Sequence, residues 1–300
     1  MPDDPSTSDT LRSRAARIAR EAQDAITSKL EEVDGSGRFR EDSWTRPGGG
    51  GGRSRILAGG RIFEKAGVNV SEVEGELTEQ FAEALPGKGR VFFATGVSLV
   101  LHPWSPHVPT VHANFRYIEK GERWWFGGGS DLTPFFLREE DAVHFHRVWK
   151  AVCDRHDPSY HPRFKKWCDE YFHLPHRGEA RGIGGIFFDE LSGDPERLLA
   201  FWKDAAGSFL DAYVPIVERR RDEPYTDADR SWQLLRRGRY VEFNLLHDRG
   251  TVFGLKTGGR IESILMSLPP LARWEYDAPE PVSGPEAELL RVLREPREWI

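Results

Sequence analysis

Three side chains with complementary chemistry alternate in the segment Thr110-Val111-His112-Ala113-Asn114-Phe115-Arg116-Tyr117. Read as a strand, it turns successive side chains to opposite faces. Val111, Ala113, Phe115 and Tyr117 then share one face, and His112, Asn114 and Arg116 share the other. A row of imidazole, amide and guanidinium is costly to bury without partners. That face therefore meets solvent or a polar ligand. A proton carrier, a two-way hydrogen-bonder and a carboxylate fork suit an anionic organic substrate.

Nine of the ten histidines fall between His102 and His176, so each has to be weighed. His102 ends the strand Gly96–His102, in which Ser98, Val100 and His102 share a face. A Pro-rich connection leads on to His112 and could set the two strands side by side, with both rings in one site. His144 and His146 lie about 200° apart on a helix. His146 falls on the apolar stripe of Ala142, Phe145 and Trp149. A lone histidine on such a stripe is more often a satisfied core residue than a ligand. His176 precedes Arg177, Glu179 and Arg181 in a strongly polar connector. His102, His112, His146 and His176 could converge as an all-nitrogen site for Zn, Mn or Fe, but their spacing matches no compact metal motif.

Arginine is the second theme. Arg236-Arg237-Gly238-Arg239 precedes an expected strand, Arg249 follows Asp248 in an expected hairpin turn, and Gly258-Gly259-Arg260 opens an expected helix. Most such arginines are solvated charges. Gly–Arg arrangements are also what charge-assisted binding of a polycarboxylate needs.

The elements that must position these groups are partly periodic. Leu11–Val33 has helical spacing, and Glu139–His156 and Pro162–Phe172 read as helices. Val91–Ala94, Val97–His102, Val111–Ile118, Trp124–Phe126 and Ile183–Phe188 read as strands. Gly127-Gly128-Gly129 is expected to end one strand, with a turn at Ser130–Pro134. Arg61–Phe63 and Val68–Val70 are short strand candidates, and Gly48–Gly52 is a loop or an anion-binding backbone nest. Asp194 or Ser192 caps a long helix that Pro215 would kink or stop. Tyr240–Leu246 and Thr251–Leu255 around Asp248-Arg249-Gly250 read as a β-hairpin. Ile261–Leu268 and the tail Pro285–Ile300 read as helices. One α+β domain with a mostly antiparallel sheet accounts for this order.

The bulk numbers narrow the class. The chain has 300 residues, 38% hydrophobic and 12% aromatic, enough for a sizeable core despite a mean hydropathy of -0.57. A net charge of -6 argues against general nucleic-acid binding. Two cysteines, Cys153 and Cys168, exclude a disulfide framework and point to a reducing compartment. No Cys cluster could hold an iron–sulfur centre. No run approaches the roughly 18 apolar residues of a membrane span. The acidic residues Asp3, Asp4 and Asp9 do not suit a signal or transit peptide, so the cytoplasm is expected.

The longer motifs resemble a known family. They are Gly96-VSLVLHP-Trp104, Pro109-TVHANFRY-Ile118, Trp124-WFGGGSDLTP-Phe135, Phe164-KKWCDEYF-His173, Arg177-GEARGIGGIFFD-Glu190 and the stretch Arg236–Asp277. Together they resemble the oxygen-dependent coproporphyrinogen III oxidases of bacterial type. The resemblance covers about residues 25–300 and leaves 1–24 as an N-terminal extension. It implies a large flat antiparallel sheet flanked on both faces by helices, in a single catalytic domain that forms a homodimer. It implies conversion of two propionates of coproporphyrinogen III to vinyls, with oxygen as co-substrate and release of carbon dioxide and hydrogen peroxide. No organic cofactor is implied. A divalent metal is, manganese before iron or zinc.

By resemblance, Ser98, Asn114, Phe115, Arg116, Gly258, Gly259 and Arg260 bind substrate, and His102, His112, His146 and His176 are the metal positions. His112, as proton donor, joins Arg116, Asp248 and Arg249 as catalytic. His247 departs from the Trp or Tyr expected at its place. Two rival functions remain open at this point: a metal-dependent oxygenase built on the histidines, and a non-catalytic tetrapyrrole carrier.

Overall fold

The computed structural model describes residues 9–256 and 259–300. Its elements in chain order are α1 (Leu11–Asp34), β1 (Arg40–Thr45), β2 (Gly50–Ala58), β3 (Phe63–Glu76), α2 (Glu79–Ala84), β4 (Val91–Pro103), β5 (Thr110–Lys120) and β6 (Arg123–Thr133). Then follow α3 (Glu139–His156), α4 (Tyr160–Tyr171), β7 (His173–Leu174), β8 (Glu179–Ala180), β9 (Gly185–Leu191), α5 (Pro195–Gly207) and α6 (Phe209–Arg220). The last third is helical: α7 (Asp227–Leu246), α8 (Arg249–Lys256), α9 (Ile261–Leu265) and α10 (Gly284–Arg294).

Seven strands form one antiparallel sheet in the order β1-β2-β3-β4-β5-β6-β9. The chain is therefore α+β in one domain, as expected. Alternation gives the sheet two unlike faces. Val97, Phe115, Tyr117 and Phe126 belong to the apolar one. Trp149 of α3 packs on Phe115 at 6.2 Å and Trp202 of α5 on Phe126 at 5.7 Å. The α1 helix lies on the same face, with the Arg12 guanidinium 4.0 Å over the Phe93 ring. Its buried Ala15, Ala19, Ile26 and Leu30 join the core, so α1 runs through residue 24 without a break.

The C-terminus of α1 is tied down by one carboxylate. Asp34, fully buried, accepts from the backbone N–H groups of Gly37, Arg61, Ile62 and Phe63 at 2.6–3.0 Å. Burial alone would push its pKa up, but these four donors hold it down at about 2.

The opposite, polar face is covered by the last third of the chain. Tyr240 of α7 lies edge-on to His102, Ser263 of α9 bonds Ser54, and Phe253 of α8 meets Phe81 of α2 at 5.1 Å.

Several expectations are corrected. Tyr240–Leu246 and Thr251–Leu255 are not a hairpin but the end of α7 and the body of α8. The α7 helix starts from a capping box at Thr226 and Asp229, and its buried Tyr240, Val241, Phe243 and Asn244 follow helical rather than strand spacing. Gly127–Gly129 and Ser130–Thr133 do not end β6, because β5 and β9 pair with it on both sides. Gly50–Gly52 belong to β2, and the two short candidates around Phe63 and Val70 are one strand, β3. The helix after Asp194 breaks at Ser208, while Pro215 is carried inside α6. The expected helix opening at Gly258 falls on a residue outside the described ones.

Candidate active site

Residues directly opposite one another across antiparallel strands share a face. One line across the polar face reads Asp42, Ser54, Asn69, Ser98, Asn114, Gly129 and Phe187. The next line, toward the Val91 end of β4, reads Trp44, Gly52, Ser71, Gly96, Arg116 and Gly127. The line on the other side includes Val100, His112 and Asp131. Ser98, Asn114, Arg116 and His112 thus stand together on one half-exposed floor. Phe115 points the other way and is buried in the core, so it takes no part in this face.

His112 is the best-supported side chain of the floor. Its Nδ1 lies 2.8 Å from Asp131 Oδ1. Asp131 accepts two bonds from Arg181, at 2.8 and 2.9 Å, and all three groups are drawn together under α7. Burial by itself would raise the Asp131 pKa, but Arg181 and His112 bring it below the usual carboxylate value. An ionised Asp131 accepts a hydrogen bond from Nδ1–H, which fixes the ring and leaves Nε2 as the nitrogen turned away from the carboxylate. Arg181 in turn is wedged among Phe172, Tyr240 and Phe243, at 4.1–4.7 Å from their ring centres. Its charge is thereby both desolvated and paired.

Arg116 is held by two acceptors, Asp189 Oδ2 at 2.8 Å and Asn114 Oδ1 at 3.3 Å. At the β9 end of the floor Tyr171 stacks on Phe187 with ring centres 4.1 Å apart. Asp248 and Arg249 overhang this pair. Arg249 sits 4.9 Å over Tyr171, and the Tyr171 hydroxyl donates to Asp248 Oδ1 at 3.0 Å. Asp248 Oδ2 also accepts from Thr251 N–H at 2.7 Å, which makes Asp248 the N-cap of α8. At the β1 end, Arg260 pairs with Asp42, beside Gly259. The α8 helix starts at Asp248, beside Tyr171, and its Phe253 meets Phe81 of α2. The site is a slot with a sheet floor, a helical roof and a cation near each end.

The four histidines do not converge. His146 lies in the layer against the apolar face, donating to Ile183 O at 3.0 Å and stacked on Trp299. Burial lowers its pKa to about 3, so it is a neutral core residue. His102 is buried between Thr110 Oγ1 and Ser267 O, and its pKa is also lowered, first by burial and then by Arg237. His176 bonds Glu242 at 2.8 Å and stacks on His247. Each ring has its own partners, and among the described residues no group of three or more His, Cys, Asp or Glu could hold a metal ion. The residues present do not fit the expected metal.

Sequence reasoning missed Asp131, Arg181 and Asp189. A signal for Asp131 was present. The two-residue loop Gly121-Glu122 joins Lys120 to Arg123, and counting back along that hairpin puts Asp131 opposite His112. Asp189 carried no such signal, because β9 comes from a distant part of the chain.

A cavity of about 540 Å³ lies elsewhere, between α1 and the apolar face, lined by Arg12, Arg20, Arg53 and Glu72 among others. Its arginines are already paired, with Glu74, Glu72 and Asp24. None of the chemical groups of the floor lines it, and size alone does not make it the site.

Comparison with known proteins bears on this face. Residues 14–299 match the family model described as coproporphyrinogen III oxidase. The chloroplastic oxygen-dependent coproporphyrinogen-III oxidase of Glycine max is 52% identical over 99% of this chain and 82% of that protein. The oxygen-dependent coproporphyrinogen-III oxidase of Prochlorococcus marinus (strain MIT 9313) is 51% identical over 96% of this chain and 91% of its own length. With a match that spans both faces of the sheet and the helical roof, the chain belongs to the coproporphyrinogen III oxidase family.

Proposed function

We propose that this chain is an oxygen-dependent coproporphyrinogen III oxidase, and that the slot over the polar face is where two propionates become vinyls. The observation that carries the placement is the shared floor of Ser98, Asn114, Arg116 and His112. It offers charge and hydrogen bonds to carboxylates beside aromatic surface for the pyrroles.

The balance of the reaction defines what the residues must do. Each propionate side chain loses carbon dioxide, one proton and two electrons. Oxygen takes two electrons and two protons to become hydrogen peroxide. One proton per propionate must therefore come from outside the reacting side chain. His112 supplies it from Nε2, with Asp131 stabilising the imidazolium through Nδ1. The electron-rich porphyrinogen is itself the reductant of oxygen. Asp248 accepts a pyrrole N–H and raises that reactivity, and Arg116 and Arg260 hold propionates in place. Closure by α8 and the Tyr171–Phe187 stack excludes water from the reacting edge.

The chain is proposed to act as a homodimer. Leu246, Ile261, Leu271 and Trp274, all in the last third, are 53–62% exposed, and large apolar side chains left in water are what a partner would cover. The cytoplasm is the proposed compartment. Cys153 and Cys168 are buried free thiols, and no helix among the described residues is long and apolar enough to cross a membrane. Recovery of the intact chain in a membrane or organelle fraction would reject that compartment.

Turnover of coproporphyrinogen III by metal-analysed protein, in air, without oxygen and with EDTA, tests the function. Oxygen-dependent protoporphyrinogen formation that survives chelation is expected. Loss with EDTA and recovery with one metal would reject the metal-free scheme, and binding without oxygen uptake would favour a carrier.

A further inference from the structure

Arg116 reaches its acidic partner across an intervening strand. It stands on β5, Asp189 stands on β9, and β6 runs between them. Two features make that reach possible. The residue of β6 beneath the pair is Gly127, and a Cβ there would lie 2.6 Å from Asp189 Oδ1 and 2.9 Å from Arg116 Nε. The β9 strand is also irregular at this point. Phe126 pairs with Leu191 and Gly128 with Phe188, so Asp189 and Glu190 together oppose Gly127. That is a β-bulge, a device that re-aims a side chain. Glu190 adopts φ of 51°, a left-handed conformation uncommon for a residue with a Cβ, and its N–H donates to Asp189 Oδ1 at 3.0 Å. The backbone is thus bent to deliver one carboxylate to one guanidinium on the substrate floor.

The geometry points to Asp189 as a resident carboxylate that occupies Arg116 until a substrate carboxylate displaces it, making Asp189 a specificity-determining residue of the slot. This rests on the placement of substrate proposed above. Arg116 and Asp189 together are a neutral pair, and both are partly exposed, at 28% and 17% of their side chains. A substrate propionate gains the guanidinium only by exchange. When that propionate leaves as carbon dioxide, Arg116 loses its partner and Asp189 takes it back. The exchange therefore favours binding of the form that still carries the carboxylate over the form that has lost it.

The test uses the full chain and coproporphyrin III, the oxidised and unreactive tetracarboxylate, as a fluorescent probe. Asp189→Asn keeps the shape and removes the charge. It is expected to bind the probe about tenfold tighter, roughly 1.4 kcal/mol. With coproporphyrinogen III, KM and kcat are both expected to fall, because the decarboxylated form is no longer displaced. Asp189→Glu should restore much of the wild-type behaviour. In an Arg116→Ala background the Asp189→Asn effect on the probe should vanish. Unchanged or weaker binding by a variant that melts like wild type would overturn the exchange. So would equal tightening without Arg116, which would mean plain charge repulsion. The probe measurement needs no turnover. An inactive wild type whose Asp189→Asn form still binds tighter would reject the reaction scheme and leave the exchange standing.

Discussion

Asp248 carries two roles that a single substitution separates. Its carboxylate caps α8 through Thr251 N–H and accepts from the Tyr171 hydroxyl, while its charge is assigned to the pyrrole N–H. Asparagine caps a helix about as well as aspartate, so Asp248→Asn should leave the melting temperature close to wild type. It should lower kcat by roughly 10²–10⁴-fold, the range of a lost general base, with probe affinity within about threefold. Equal loss of binding and turnover in a folded variant would remove the assignment. His112 shows the complementary arrangement. Its ring is fixed from behind by a buried carboxylate and a buried guanidinium, so its orientation belongs to the fold.

At the scale of elements, the junction between α1 and β3 depends on Asp34. Its pKa is about 2 in the fold against an ordinary 3.8. A carboxylate depressed in this way contributes stability that is fully present above the unfolded value and is lost as pH falls through the folded one. The difference amounts to about 2 kcal/mol. Asp34→Asn should therefore lower unfolding free energy at neutral pH by about that amount. The gap between variant and wild type should close between about pH 4 and pH 2, as followed by urea titration. A gap that persists at pH 2 would show that the loss comes from shape and not from charge.

Elements also show where the sequence could be read and where it could not. The α3 bounds, the buried side of His146 and the alternation in β5 were legible, because each follows from a period confined to one segment. The polar face was legible for His112, Asn114 and Arg116, and for Ser98 on its own strand. The last third was misread because Val241, Phe243 and Leu245 alternate well enough to imitate a strand, and Asp248-Arg249-Gly250 imitates a turn. The capping box at Thr226 and Asp229 and the cap of Thr251 by Asp248 were the deciding signals. The four-histidine metal reading failed for a different reason. Spacing along the chain does not say which side of a sheet a helix will cover, and α3 covers the side away from His112.

For the whole molecule, the apolar residues left outside the core concentrate in the same third of the chain that roofs the slot. The proposed dimer predicts sedimentation at twice the 34.2 kDa chain mass. Leu271→Glu combined with Trp274→Asp should yield a monomer with native circular dichroism. A wild-type chain that sediments as a monomer at micromolar concentration would reject the dimer.

Of the two cations at the ends of the slot, Arg249 opens α8, whereas Arg260 lies past that helix and is tied to Asp42 on β1. One end of the proposed slot therefore moves with a helix and the other with the edge of the sheet. A displacement of α8 would change the span offered to a substrate while leaving all seven strands paired.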